Sequence, residues 1–407
     1  MPPVITDHPA IPSARTGRDS GFAAEAREGV SAPGAGGASA RRVLDLLWRR
    51  GRSFLGCEYA ILGGAMSWVS ERHLVSAISN AGGFGVLATG SMEPDQLDAE
   101  IAGTAALTGA PFGVNLIILH QQLDALIDVC AAHRVSHVVL AGGIPGSAQI
   151  ARIKATGAKV VCFAPSLIIA RKLIRSGADA LILEGMEAGG HIGPVSTSVL
   201  AQEILPHLTE VPLFVAGGIG RGEAVLGYLD MGAAGVQLGT RFACATESVA
   251  HPRFKQAFIR AGSRDAMASV QVDQRFPVAP VRALVNQATQ RFVETQREVV
   301  ERFNAGSLSQ KEAQLEIEHF WSGALRTAVF EGDIDNGSLM AGQSVGMVTG
   351  QQTVAEIIAE LADQAIAGIE RRRAVEAEAA ADPEPRFGGA LDMTFPPGFG
   401  GPRETGT

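Results

Sequence analysis

One stretch of the 407-residue chain concentrates reactive groups: Glu184-Gly185-Met186-Glu187-Ala188-Gly189-Gly190-His191-Ile192-Gly193 sets a histidine among glycines, downstream of two carboxylates. An imidazole titrates near neutrality, so His191 can take or give a proton at a substrate carbon. Its glycine neighbours lack the side chains that a packing element needs, which argues against a core role. The other histidines (8, 73, 120, 133, 137, 207, 251 and 319) read as surface or core residues. Cys57, Cys130, Cys162 and Cys244 are too far apart for metal or redox pairs and read as buried free thiols. No metal site is expected, and no nucleophile elbow, zinc-protease motif or phosphate-binding Walker loop is present. Gly218-Ile219-Gly220-Arg221-Gly222 has the wrong glycine spacing for a dinucleotide fingerprint.

The elements that must position these residues follow a rhythm. Eight short apolar runs, 59–62, 84–87, 112–117, 137–140, 159–163, 180–184, 212–216 and 235–238, begin roughly 20 to 30 residues apart, with helix-like segments between them. Eight strand-helix units in series predict an α/β fold, a closed (β/α)8 TIM barrel, rather than an open sheet. Residues at the strand ends then converge on one pocket. They are Gly63-Gly64-Ala65-Met66, Asn115, Gly142-Gly143, Glu184, Gly217-Gly218 and Gly239-Thr240. Glycine lets backbone amides reach a ligand, and barrels grip phosphate after strands seven and eight, so a phosphorylated cofactor is expected.

Around the barrel, the sequence divides into a disordered tail (1–40), the barrel (41–272), a helical accessory segment after the eighth strand (273–345), a final helix packing on the barrel (346–370) and a second tail (371–407). Within the accessory segment, helices are expected over 281–303 and 310–321, placed over the barrel mouth. The net charge of −8 offers no field for a phosphate backbone, so nucleic acid is not an expected partner. No apolar run is long enough for a bilayer, and the amino terminus lacks a secretory pattern, which predicts a cytoplasmic protein without membrane contact.

The loop ending in His191 resembles the signature loop of FMN-dependent nitronate monooxygenases (2-nitropropane dioxygenases) and FMN-type enoyl-acyl carrier protein reductases. Further blocks share the resemblance: Ser79-Asn80-Ala81-Gly82-Gly83-Phe84-Gly85, Pro111-Phe112-Gly113-Val114-Asn115, Ala216-Gly217-Gly218-Ile219, Gln237-Leu238-Gly239-Thr240-Arg241-Phe242 and Met340-Ala341-Gly342-Gln343. The resemblance runs from about Phe54 to Ala367. It implies FMN held non-covalently, with Gly64, Ala65, Met66 and Asn115 near the isoalloxazine ring and Glu184, Gly189 and Gly190 near the flavin and its ribityl chain. Gly217, Gly218, Gly239 and Thr240 would bind the phosphate, with Gln237 and Leu238 in the same cofactor-binding set. His191 matches the histidine given the proton-transfer role in both groups. Gly63 stands where the reductases usually carry glutamine, and Pro194 where they often carry a charged residue. Those departures tilt the expectation to a monooxygenase oxidising alkyl nitronates with O2 to a carbonyl compound and nitrite. The alternative is reduction of an enoyl thioester with NAD(P)H. A homodimer is the expected assembly.

Overall fold

The structure is a computed structural model that describes residues 39–276 and 278–381. The expected amino-terminal tail, but for Ser39 and Ala40, and the carboxyl-terminal one beyond Ala381 lie outside the described residues. The eight expected strands are all present, as β1 (Ile61–Gly63), β2 (Phe84–Ala88), β3 (Gly113–Ile117), β4 (His137–Ala141), β5 (Lys159–Phe163), β6 (Ala180–Glu184), β8 (Leu213–Ala216) and β9 (Gly235–Leu238). They are all parallel, and β9 pairs back onto β1, with Ile61 opposite Val236, which closes the barrel. Covered on both faces, the strands are apolar along nearly their whole length rather than alternating. β1 starts later than expected because the Tyr59 amide donates to the Gly82 carbonyl at 2.8 Å instead of to a neighbouring strand. β8 starts at Leu213, since Pro212 has no N–H to give.

Helices follow the strands with legible starts. Glu93 and Gln96 form a reciprocal cap around Pro94 at the head of Pro94–Leu107, and Ser166 caps Leu167–Arg175. Leu62, Phe84, Val86, Val139, Val161, Ile182 and Phe214 fill the barrel interior. The amino-terminal end is plugged from helix Arg49–Leu55: Phe54 packs edge-on against His137 at 5.1 Å, and Phe84 does so at 4.9 Å. His137 is 3% exposed. Its Nε2 donates to the Phe54 carbonyl and its Nδ1 accepts from the Ser136 hydroxyl, both at 2.9 Å. Burial holds its pKa down at about 4, so the ring is neutral there.

Three short strands depart from the expected pattern. Gly190–His191, inside the expected glycine loop, is β7; Ala266–Ala268 is β10; and Val281–Leu284 is β11. They form an antiparallel sheet in the order β10-β11-β7 beside the barrel mouth. The helix expected over 281–303 is therefore corrected to a strand followed by helix Gln287–Asn304. Asn286 caps that helix and ends the strand, its side chain accepting from the Thr289 amide. The sheet joins residues on both sides of the expected boundary at 272. The second accessory helix, Gln310–Arg326, packs with the first around Phe276, Phe292, Val299, Ile317 and Trp321. The last helix, Val354–Ala381, continues beyond the expected end at 370. Its Ala/Glu/Arg-rich end combines strong helix formers with opposite charges, so the helix needs no core to continue. Among the described residues, no helix is long and apolar enough to cross a membrane.

Candidate active site

A cavity of about 90 Å³ opens at the carboxyl ends of the strands, the end at which barrels carry their sites. A larger open groove of about 650 Å³ lies on the accessory helices, between Arg291 and Asp333, and contains none of the candidate residues. The barrel cavity gathers Gly64, Ala65 and Met66 from β1, Glu184 and Gly189 from the β6 loop, Gly217 and Gly218 from β8, and Gln237, Leu238 and Gly239 from β9. Gly217 and Gly218 sit at φ 99° and 71°, conformations that side-chain-bearing residues rarely adopt. A Cβ on Gly217 would stand 2.9 Å from Thr197 Oγ1, and one on Gly218 would stand 3.0 Å from the Glu187 Cβ. The β6 and β8 loops thus mesh at distances that only glycine permits.

Three expected cofactor residues stand outside the cavity lining. Asn115 is 5% exposed and its side-chain amide donates to the Val139 carbonyl of the adjacent strand β4 at 3.1 Å. Gly190 is drawn into β7, opposite Arg282. The Thr240 hydroxyl, expected to face a phosphate, instead accepts the Gly342 amide at 3.0 Å. That bond tethers the 340–344 segment over the site, and Ser344 from this segment lines the cavity. Ser344 directly follows the Met340-Ala341-Gly342-Gln343 block, so the block was the available signal. The other lining residues not foreseen as contacts are Ala188, Ala216 and Ile219.

The electrostatics are unusual for an anion site, because among the described residues no lysine or arginine lines the cavity. Arg241, next to Thr240, is 3% exposed and turned away, donating to the Gly220 carbonyl and to Glu360, both at 2.7 Å. Glu184 faces the cavity yet lies deep in the protein, and desolvation alone pushes its carboxyl up to about 8. Near neutral pH it is mostly a neutral acid, able to donate a hydrogen bond and unable to repel an anion. Glu187, by contrast, is anchored: its carboxylate accepts the Thr197 amide and hydroxyl at 2.8 Å, and its carbonyl accepts the Gln343 amide at 2.9 Å. His191 is exposed on β7, opposite Val281 and two positions beyond the cavity-lining Gly189. Cys244 is buried, with its thiol pushed up to about 12, which makes it unreactive.

Fold and site together define a (β/α)8 barrel with its binding cavity at the carboxyl ends of the strands. The profile described as nitronate monooxygenase matches residues 50–126 and 119–364, and the chain belongs to that family of flavin-dependent enzymes. It is 36% identical, over 54% of its length, to (3aS,4S,5R,7aS)-5-hydroxy-7a-methyl-1-oxo-octahydro-1H-indene-4-carboxyl-CoA dehydrogenase of Mycobacterium tuberculosis, and the match spans 62% of that protein. Among solved structures, FabK from Thermotoga maritima superposes with a TM-score of 0.72 at 34% identity, covering 80% of this chain and 98% of FabK. Nitroalkane oxidase from Streptomyces ansochromogenes gives 0.63 at 26% identity, with the same coverage.

Proposed function

We propose that this protein is an FMN-dependent oxidoreductase of carbon acids whose leading reaction is the oxidation of alkyl nitronates with O2 to a carbonyl compound and nitrite. The observation that carries the reading is the cavity itself, walled by glycine backbone, free of cationic side chains and containing a buried neutral carboxyl. These residues fit FMN. Backbone N–H groups of Gly217, Gly218, Gly239 and Thr240 would hold the phosphate by dipole and hydrogen bond. Glu184 would donate to a polar atom of the flavin or its ribityl chain. Bound FMN would supply the electron acceptor and return electrons to O2. His191, exposed on β7 and outside the cavity lining, would remove the α-proton when a neutral nitroalkane is offered. The buried free thiols fit a cytoplasmic location.

A second reading, NAD(P)H-dependent reduction of an enoyl thioester, is favoured by the similarity to FabK and by the relative named for a carboxyl-CoA substrate. An absorbance spectrum followed by anaerobic mixing separates the two. Nitronate should change the flavin spectrum while NADH leaves it alone; rapid reduction by NAD(P)H with crotonyl-thioester turnover would reverse the order. Protein that is colourless and takes up no FMN would overturn both.

Removing a general base typically lowers the rate about 10²- to 10⁴-fold, and a nitronate is already deprotonated. His191→Asn should therefore stay yellow, lose most turnover of neutral nitroalkane and keep much more on the nitronate. Equal activity of variant and wild type on both would remove His191 from the mechanism.

A further inference from the structure

β11 carries a buried cation that the reading above does not use. Arg282 is 4% exposed, between Val281 and Ala283, which are each 1% exposed. Its Nε donates to the Met186 carbonyl at 2.9 Å and its Nη1 to the Ala266 carbonyl at 2.5 Å. Among the described residues, no carboxylate pairs with it. The charge of Glu187 is felt at the guanidinium, but that carboxylate is bonded to Thr197.

Burying a guanidinium on neutral carbonyls is unfavourable compared with an apolar side chain of similar size. Leu284, two positions on and on the same face of β11, is apolar and buried, so apolar residues suit that face. The arginine must therefore do something that leucine could not. Met186 lies between Glu184 and His191, and the β11 backbone pairs Arg282 with Gly190 and Val281 with His191. One residue thus holds the loop twice, by its side chain at Met186 and by its backbone register at Gly190. β7 is two residues long and supplies few hydrogen bonds of its own.

We propose that Arg282 is a positioning residue, contributed by the accessory segment, that fixes the 186–190 loop so that His191 is presented to the cavity in one orientation. The proposal rests on the proton-transfer role given to His191 above.

The test is a double-mutant cycle on the FMN-loaded enzyme. His191→Asn, Arg282→Met and their combination are assayed for kcat and KM with neutral nitroethane and with pre-formed ethyl nitronate. A small misplacement of a catalytic group can lower rates by about 10²-fold. Arg282→Met should keep its visible flavin spectrum and lose about 10- to 100-fold in kcat on nitroethane, with a much smaller loss on the nitronate. Added to His191→Asn it should change little further. Arg282→Lys, which keeps a charge and one donor, should recover part of the loss; it carries the test alone if the methionine variant does not fold. Equal losses on both substrates, or full additivity with His191→Asn, would overturn the positioning role. An inactive partner mutation reads differently: if His191→Asn has no effect, the assignment of His191 fails, whatever Arg282 does. Should the enzyme turn over crotonyl thioester instead, the same cycle is read there, with flavin reduction by NAD(P)H retained and thioester turnover lost.

Discussion

The two ends of the barrel each bury a titratable group, and they treat it in opposite ways. At the amino-terminal end, His137 has both ring nitrogens bonded and two phenyl rings against it. At the carboxyl end, the Glu184 carboxyl is desolvated, and none of the described residues supplies a hydrogen bond to relieve it. Both groups are held uncharged, but only the first has its polar atoms satisfied within the protein. The difference separates a group that the fold uses for itself from a half-buried one that lines the cavity, where a ligand can complete its hydrogen bonds.

The division can be tested from its strongest side. Phe84 is fully buried against His137, and Phe84→Ala should destabilise the fold by about 3 to 5 kcal/mol through loss of contact and a cavity. Measured by chemical denaturation, that loss should leave FMN affinity in the surviving folded protein near wild type. Thr240→Ala at the other end should do the reverse. Losing the hydroxyl frees the 340–344 segment and should weaken FMN binding about two- to tenfold by fluorescence titration, with a small effect on unfolding of the flavin-free protein. Comparable loosening of FMN by both variants would break the division.

The smallest effect is in pH. His137 has a folded pKa of about 4, below the ordinary value of 6.5, so its contribution to stability is present above 6.5 and is lost as pH falls through 4. Glu184 is raised from 4.5 to about 8, so its contribution is present below 4.5 and is lost as pH rises through 8. Flavin-free protein should lose stability on both flanks, and Glu184→Gln should remove the alkaline flank alone. An alkaline slope that survives in that variant would show that another group is responsible.

Much of this architecture was legible in the sequence, for reasons that vary by element. Barrel strands are short apolar runs at regular spacing, and a closed barrel brings their carboxyl ends together. Gly64, Glu184, Gly217 and Gly239 could therefore be placed on one cavity before any coordinates. β7 could not be foreseen, because two residues, one of them glycine, have no periodicity. β11 was absorbed into the amphipathic pattern of the helix behind it until the Asn286 cap was resolved as a boundary. Ser344 reaches the cavity, and Arg282 the Met186 carbonyl, through contacts distant in sequence, which no local pattern encodes. Thr240 was placed correctly along the chain, but the partner of its hydroxyl depended on where the 340–344 segment lands.

Helix Val354–Ala381 packs against helices Ala40–Leu47 and Gly222–Asp230, on the outside of the seam where β9 meets β1. Gln364 accepts the Gly222 amide at 2.7 Å, and Glu360 receives Arg241 from behind the site. The seam's outer cover is thus the last of the described elements to leave the ribosome, with the whole accessory segment made before it. A nascent chain carries all eight barrel strands for more than a hundred residues of synthesis before that cover exists. During that interval the faces of helices Ala40–Leu47 and Gly222–Asp230 that the last helix covers need shelter, so newly made chains should depend on chaperones most in the window between the last strand and the last helix.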